Sequence, residues 1–254
     1  MIQKRIIPVL LLYNGSLVKT INYKSFNYIG DPVNTVRIFN ELQVDEIMIL
    51  DILASKLFKK PDYALIKKIA SECFIPLSFG GGIKAVDEVH NILSIGVEKV
   101  VINTHGAMDY TLISDSANKF GEQCIIGSVD YKIDPVTGKR YVFNHTSPKT
   151  NKENPFIWAR RLQNSGIGEL LMTSVDHEGL WNGYDESFLE EISRSLEIPV
   201  IANGGAGCLD HISELFNKRS CSAAAASSLF LYQRKGMGVL VNFPEQKELI
   251  SIVK

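Results

Sequence analysis

The chain contains eight short apolar runs separated by segments of helical periodicity, at 6–12, 46–52, 75–78, 99–103, 124–130, 169–174, 198–202 and 222–226. Most runs are apolar almost without interruption, which is typical of strands buried on both faces. The helical segments are 33–42, 63–70, 86–95, 112–120, 155–163, 188–196, 209–216 and 244–253, with Pro244 expected in the first turn of the last. Strand-then-helix units predict an α/β fold with a parallel sheet, which closes most economically into a (β/α)8 TIM barrel.

The two halves of the sequence resemble each other at their strand ends. Gly82 and Gly205 are 123 residues apart (205 − 82), and Thr104 and Ser227 are separated by the same interval (227 − 104). Matched positions in register indicate an internal duplication. We therefore predict one barrel domain over residues 1–254 with a twofold half-barrel repeat, the halves being about 1–120 and 121–254.

Composition excludes several classes of protein. Lys and Arg number 27 against 28 Asp and Glu, so the chain lacks the basic excess of a nucleic-acid binder. Its apolar N-terminal run is short and interrupted by Pro8, and no run approaches the roughly 20 residues of a membrane span. We expect a cytoplasmic protein without a membrane or nucleic-acid partner. The four cysteines lack metal-ligand or disulfide spacing, so we expect no metal and no cofactor.

Glycine-rich segments follow two of the predicted strands. The first combines Gly82 with Asn103 and Thr104 at the next strand end, and the second combines Gly204 and Gly205 with Ala226 and Ser227. Glycines at these ends let backbone N–H groups approach a phosphate. The alternative is that they only form tight turns, which leaves the hydroxyl residues 22 positions later in both halves (104 − 82 and 227 − 205) unexplained. Two opposed phosphate sites predict a ligand with a phosphate at each end.

Three aspartates are expected at the carboxyl-terminal ends of strands: Asp51, Asp130 and Asp176. Barrel enzymes keep their catalytic groups at this face, and apolar surroundings adjust a carboxylate for proton transfer. The alternative is that these residues cap turns or helices. No catalytic triad or metalloprotease pattern is present, and we do not expect any of the five histidines, His145 in the loop after strand five among them, to be catalytic.

Four charged residues lie at the opposite ends of strands, namely Arg5, Glu46, Lys99 and Glu169. Side chains alternate along a strand, and the parity of these positions directs them into the barrel. Two cations and two anions in the lumen would have to pair with one another. The alternative is four unrelated surface charges.

These residues carry a family resemblance over nearly the whole chain. The matching segments are 4–7, 30–33, 50–55, 80–83, 103–104, 169–174 and 204–207. Taken together, these segments resemble those of the cyclase subunit of imidazole glycerol phosphate synthase. The resemblance implies a bisphosphate substrate, a glutaminase subunit docked at the N-terminal face of the barrel, and ammonia passing a gate to which Arg5, Glu46, Lys99 and Glu169 correspond.

The resemblance also assigns individual residues and shows departures. It makes Asp130 and Lys19 catalytic, and it places Asp51, Thr173 and Asp176 with the glycine-rich ends in phosphate and substrate binding. The family's second catalytic aspartate, at the end of strand one, is Leu11 here. Asn203, Glu178 and Leu231 replace the family's usual serine, aspartate and histidine.

Three interpretations follow. The chain is most similar to a paralogous branch that works with glutaminase-like partners in sugar amidation for surface polysaccharide, with a sugar amidotransferase as a further partner. It could instead be a working histidine-pathway cyclase in which another group replaces the strand-one aspartate. The third interpretation is a non-catalytic ammonia conduit or scaffold. The sequence does not determine which sugar or nucleotide is involved, or whether residues 13–30 close over the site.

Overall fold

The computed structural model describes residues 4–103, 109–146, 153–218 and 221–253. The strands in these residues are β1 (Arg5–Tyr13), β2 (Ser16–Ile21), β3 (Ser25–Gly30), β4 (Ile47–Asp51), β5 (Leu77–Gly80), β6 (Lys99–Ile102), β7 (Ile125–Ile133), β8 (Arg140–Val142), β9 (Glu169–Ser174), β10 (Val200–Asn203) and β11 (Ala223–Ala226). The helices are α1 (Pro32–Glu41), α2 (Tyr63–Ala70), α3 (Val86–Ser94), α4 (Thr111–Phe120), α5 (Pro155–Asn164), α6 (Glu186–Ser195), α7 (Leu209–Asn217), α8 (Ser228–Leu231) and α9 (Gln246–Val253). A short 3-10 turn, Glu122–Cys124, precedes β7.

Eight parallel strands form a closed barrel in the order β1, β4, β5, β6, β7, β9, β10, β11. The last strand returns to the first, with Arg5 opposite Ala223 and Pro8 opposite Ala226. The predicted (β/α)8 barrel is therefore confirmed. Each of its strands corresponds to one of the eight apolar runs, because a strand covered by helices outside and by packed side chains inside needs apolar residues on both faces.

The apolar core has two layers, which follow from the alternation of side chains along each strand. One cluster fills the lumen and includes Leu11, Met48 and Leu171, all of which are buried. The other lies between the barrel and the helices and includes Leu10, Ile47 and Leu170. Successive residues of one strand thus contribute to different layers, and the lumen is closed by packed side chains through much of its length.

Local signals set several helix boundaries. The carboxylate of Asp31 accepts a hydrogen bond from the Asn34 N–H, and Pro32 occupies the first turn of α1. Asp62 caps α2 in the same way. The expectation for Pro244 was wrong, because α9 begins two residues later at Gln246 and the proline stands before the helix.

The structure also contains elements that the sequence analysis did not predict. β2 and β3 form an antiparallel hairpin that continues β1, and β8 pairs antiparallel with β7. Both additions extend barrel strands one and five, which stand opposite each other in the eight-stranded order. Within the described residues, no helix has the length and apolar character needed to cross a bilayer.

Candidate functional site

A cleft of about 100 Å³ opens at the carboxyl-terminal ends of the barrel strands. Five residues singled out from the sequence line it, namely Asp51, Gly82, Asn103, Asp130 and Thr173. The fold brings them together because parallel strands all end at the same face of the barrel. Thr104, predicted to belong to this group, lies outside the described residues.

Asp130 occupies the centre of a polar cluster in this first cavity. Its side chain is buried, and Oδ2 accepts a hydrogen bond of 3.0 Å from the amide of Asn103. The same oxygen lies 3.1 Å from Nε2 of His145. The rings of Tyr23 and Phe143 pack edge-on against the imidazole, with centroids 4.9 and 4.8 Å away. The carboxylate is therefore held in one orientation, with an imidazole beside it.

His145 is a site residue that the sequence analysis set aside. It lies after β8, in a segment without hydrophobic periodicity, so nothing in the local pattern predicts where its ring points. In the structure, β7 continues beyond Asp130 and forms a hairpin with β8 that folds back over the barrel mouth. The Phe143 N–H donates to the Asp130 carbonyl over 2.7 Å, and this bond returns the chain to the carboxyl-terminal face of the barrel.

The other two aspartates hold loops in place. Oδ1 of Asp51 accepts the N–H groups of Leu53 and Ala54 at 2.9 and 3.0 Å, so this residue caps its own turn while also lining the first cavity. Asp176 accepts the N–H of Ile133 at 2.7 Å and joins the β7 extension to the loop after β9. Asp176 does not line this cavity.

A second, narrower cavity of about 20 Å³ lies by the ends of β10 and β11. Among the predicted residues it contains Lys19, Gly204, Gly205, Ala226 and Ser227. Leu11 lines the same cavity and is almost fully buried. The Ser227 hydroxyl is buried, and no described residue hydrogen-bonds to it. Buried hydroxyl groups usually have a partner, so this oxygen marks a place where a polar ligand group would be accommodated.

The two glycine-rich ends stand on opposite sides of the barrel. β5 and β10 are the third and seventh strands in barrel order, four positions apart in a ring of eight. At Gly82 the backbone has φ +73° and a Cβ would lie 2.5 Å from the Lys59 carbonyl, and at Gly205 φ is +110° and the clash would be with the Gly183 carbonyl at 2.0 Å. Glycine is required at both positions for neighbouring loops to pack together. This packing requirement and an anion-binding role are compatible.

Lys19 projects from β2 into a buried ion pair with Glu178. The same carboxylate oxygen accepts the Thr20 hydroxyl at 2.8 Å, and the Lys19 ammonium also donates to the Thr20 carbonyl over 2.8 Å. Burial lowers the pKa of Lys19, and the attraction of Glu178 offsets this only in part. Geometrically, the Lys19 side chain is therefore held by Glu178 and by the Thr20 carbonyl.

The four charged residues at the other end of the barrel form a closed ring of ion pairs. Arg5 contacts Glu46 at 2.7 Å and Glu169 at 2.6 Å, and Lys99 contacts the same two carboxylates at 3.3 and 2.8 Å. Burial alone would raise the pKa of Glu169, but hydrogen bonds and charge from Arg5 and then Lys99 outweigh it and lower the pKa. Glu46 also accepts the Ser78 hydroxyl at 2.7 Å.

Fold and cleft together define a class: a (β/α)8 barrel with a carboxylate-centred cleft at one end and a ring of paired charges at the other. Comparison with known proteins makes this class more specific. A family model described as histidine biosynthesis protein matches residues 5–235. A protein of Pseudomonas aeruginosa with the provisional name imidazole glycerol phosphate synthase subunit hisF2 is 43% identical over 249 residues, covering 98% of this chain and 99% of that protein. Subunit HisF of the same synthase from Limosilactobacillus fermentum is 36% identical over 234 residues, covering 92% and 90%.

A further relative, from Leptospira interrogans, carries the provisional name imidazole glycerol phosphate synthase subunit HisF and is 39% identical over 248 residues, or 98% of each chain. The chain belongs to the histidine biosynthesis protein family, within it to the cyclase-type lyase subunits of imidazole glycerol phosphate synthase. The family resemblance derived from the sequence is thereby confirmed.

Proposed function

We propose that this protein is the synthase-side subunit of a glutamine-dependent ammonia-transfer system, with an altered catalytic centre that serves sugar amidation for surface polysaccharide. A glutaminase subunit docks at the N-terminal face, and ammonia enters the barrel there. A phosphorylated ligand binds at the carboxyl-terminal face, and a sugar amidotransferase uses the ammonia or the product. The observation that carries this proposal is Leu11, an apolar residue at the end of strand one, across the barrel from Asp130.

Leucine has no ionisable group, so Leu11 cannot take part in proton transfer. Its side chain is almost fully buried within the apolar cluster of the lumen, beside Val9 and Val18. Acid–base catalysis by a positioned carboxylate contributes about 10²- to 10⁴-fold to a rate. Only one of the family's two catalytic carboxylates, Asp130, is present here. This difference favours a reaction other than the family's cyclisation.

Two further features support the ammonia and phosphate parts of the proposal. The ring of Arg5, Glu46, Lys99 and Glu169 closes the N-terminal end of the lumen with polar groups in place of the apolar side chains that usually fill this layer. At the other end, the Ser227 hydroxyl, which has no partner among the described residues, and the two glycine loops suit the oxygens of an anion. The relative from Pseudomonas aeruginosa carries the name hisF2, which sets it apart from a plain HisF subunit.

One observation favours a second candidate, a working histidine-pathway cyclase. His145 touches the Asp130 carboxylate, and imidazole is the commonest general acid and base in enzymes. In this case the imidazole, rather than a strand-one carboxylate, would complete the acid–base pair.

Turnover of the histidine-pathway bisphosphate substrate with free ammonia separates the two candidates. We expect the wild-type rate to lie about 10²-fold or more below that of an ordinary family member. Leu11→Asp should raise kcat by roughly 10-fold or more because it restores a proton-transfer group opposite Asp130. Leu11→Asn has the same size without that chemistry and should stay at the wild-type rate. A wild-type rate equal to that of an ordinary cyclase would contradict the proposal and favour the second candidate.

A further inference from the structure

The tip of the β2–β3 hairpin is fixed to the loop after β9. Asn22 and Tyr23 both have left-handed backbone conformations, with φ of 51° and 55°. The Asn22 amide donates to the carbonyls of Val175 and Asp176 at 2.8 and 3.0 Å, and its N–H donates to the Glu178 carbonyl at 3.0 Å. A non-glycine pair in this conformation is strained and persists only where its surroundings hold it. Here the hydrogen bonds provide that hold.

The Glu178 side chain completes the attachment. One carboxylate oxygen accepts from Lys19 and Thr20, and the other accepts the Tyr23 N–H at 3.0 Å. A single acidic group thus bonds three residues of the hairpin from within a buried environment. Glu178 is one of the departures from the family pattern, where a shorter aspartate is usual. The additional methylene extends the reach of this carboxylate toward the hairpin.

This attachment places the Tyr23 ring inside the mouth of the barrel. The ring packs on the apolar cluster of the lumen and edge-on against His145. Tyr23 lines the first cavity, which contains Asp130 and Gly82, and it also lines the second, which contains Gly205 and Ser227. Burial, followed by the nearby charges of Asp130 and Glu178, raises the pKa of Tyr23 well above its ordinary value, so the phenol stays neutral. The ring therefore stands between the two cavities.

We propose that Tyr23 is a specificity-determining residue that divides the mouth of the barrel and restricts it to ligands held by one anionic end. This inference rests on the proposed function, because it assumes anion binding at the glycine loops. A ligand with a phosphate at each end would have to displace the ring and break the bonds of Asn22 and Glu178. A singly phosphorylated ligand needs only one of the two cavities, so its binding does not require the hairpin to move.

The test compares inorganic phosphate with a series of straight-chain alkanediol bisphosphates, from three to ten methylenes, by isothermal titration calorimetry. A bisphosphate long enough to reach both glycine loops gains affinity, commonly 10²- to 10⁴-fold, because binding of the first phosphate raises the effective concentration of the second. In the wild type we expect the best bisphosphate to bind within about 10-fold of inorganic phosphate. Tyr23→Ala should open the path and raise that gain to about 100-fold or more. Tyr23→Phe keeps the ring and should behave as the wild type does.

The outcomes separate the inference from the proposal beneath it. The inference is overturned if the bisphosphate gains as much affinity over inorganic phosphate in the wild type as in Tyr23→Ala. It is also overturned if Tyr23→Ala shows no such gain while inorganic phosphate still binds. If inorganic phosphate binds to none of the proteins, the proposed anion sites are wrong and the inference falls with them. If Tyr23→Ala does not fold, Glu178→Gln tests the same point. This variant weakens the bonds that hold the hairpin, so it should also increase the affinity of the bisphosphate relative to inorganic phosphate.

Discussion

Residue chemistry at the two ends of the barrel was predictable to different degrees. Parity along the strands pointed Arg5 and Lys99 into the lumen, where the structure has them paired with Glu46 and Glu169. The same reasoning could not find His145, because its position depends on a hairpin with no strong periodicity. Nor could it show that Asp176 joins two loops, since strand-end aspartates that bind ligands and those that cap turns look alike in sequence.

Glu169→Gln tests the electrostatics of the charge ring. The pKa of Glu169 is lowered in the folded protein, so its carboxylate contributes stability at pH values above its ordinary pKa of 4.5. This contribution is lost as pH falls through the lower folded-state pKa. At pH 7 the variant should be less stable, by less than the roughly 3–5 kcal/mol of a fully buried pair, because the ring is partly exposed.

Urea unfolding as a function of pH checks this prediction. The stability difference between wild type and Glu169→Gln should shrink below pH 4.5, as the wild-type carboxylate becomes protonated. Glu190→Gln removes an exposed helix-surface pair with Arg194 and is the matched control, with little effect expected at any pH. A difference that stays constant from pH 7 to pH 3 would show that the ring does not lower the Glu169 pKa.

Elements with a regular apolar pattern were the ones that sequence reasoning located well. α2 was predicted at its observed bounds, Tyr63–Ala70, from its apolar periodicity, and the structure adds the Asp62 cap at its start. The β2–β3 hairpin was missed because β3 is largely exposed and its turn is Asn-Tyr, a pair that carries no glycine signal. What holds that turn is Glu178, 155 residues away from Tyr23 (178 − 23), which no local pattern could show.

Anion binding by the two glycine-rich ends is the prediction at the scale of elements. Crystals soaked in sulfate or phosphate should contain one anion near Gly82 and Asn103 and another near Gly205 and Ser227. Ser227→Val should abolish the second anion and leave the first, because its hydroxyl lines only the second cavity. Ordered loops without an anion at either place would count against a phosphorylated ligand.

The molecule as a whole combines two ends with different properties. Its N-terminal end is polar and closed by the charge ring, its middle is filled by apolar side chains, and its carboxyl-terminal end carries the cleft around Asp130. Sequence offsets of 123 residues anticipated the placement of Gly82 and Gly205 on opposite strands. The superposition of the two half-barrels and their boundary near residue 120 stay predictions. The charge ring lies at the end of the barrel opposite the β2–β3 hairpin, so its role can be tested independently.

Coupling between the two ends is tested at the charge ring in the complex with a glutaminase subunit. If ammonia enters past the ring, Lys99→Ala should change glutamine-driven product formation more than formation driven by free ammonia, because the truncation removes one of the two cations that pair with Glu46 and Glu169 at the entrance. An uncompensated buried charge is destabilising, so the melting temperature of the variant is measured alongside. Lys218→Ala, which breaks an ion pair with Glu186 that is not part of the ring, controls for the loss of a lysine. If the Lys99→Ala complex is folded and keeps the wild-type ratio of glutamine-driven to ammonia-driven rates, the ring is only a structural set of ion pairs. The proposed ammonia route through the barrel is then wrong.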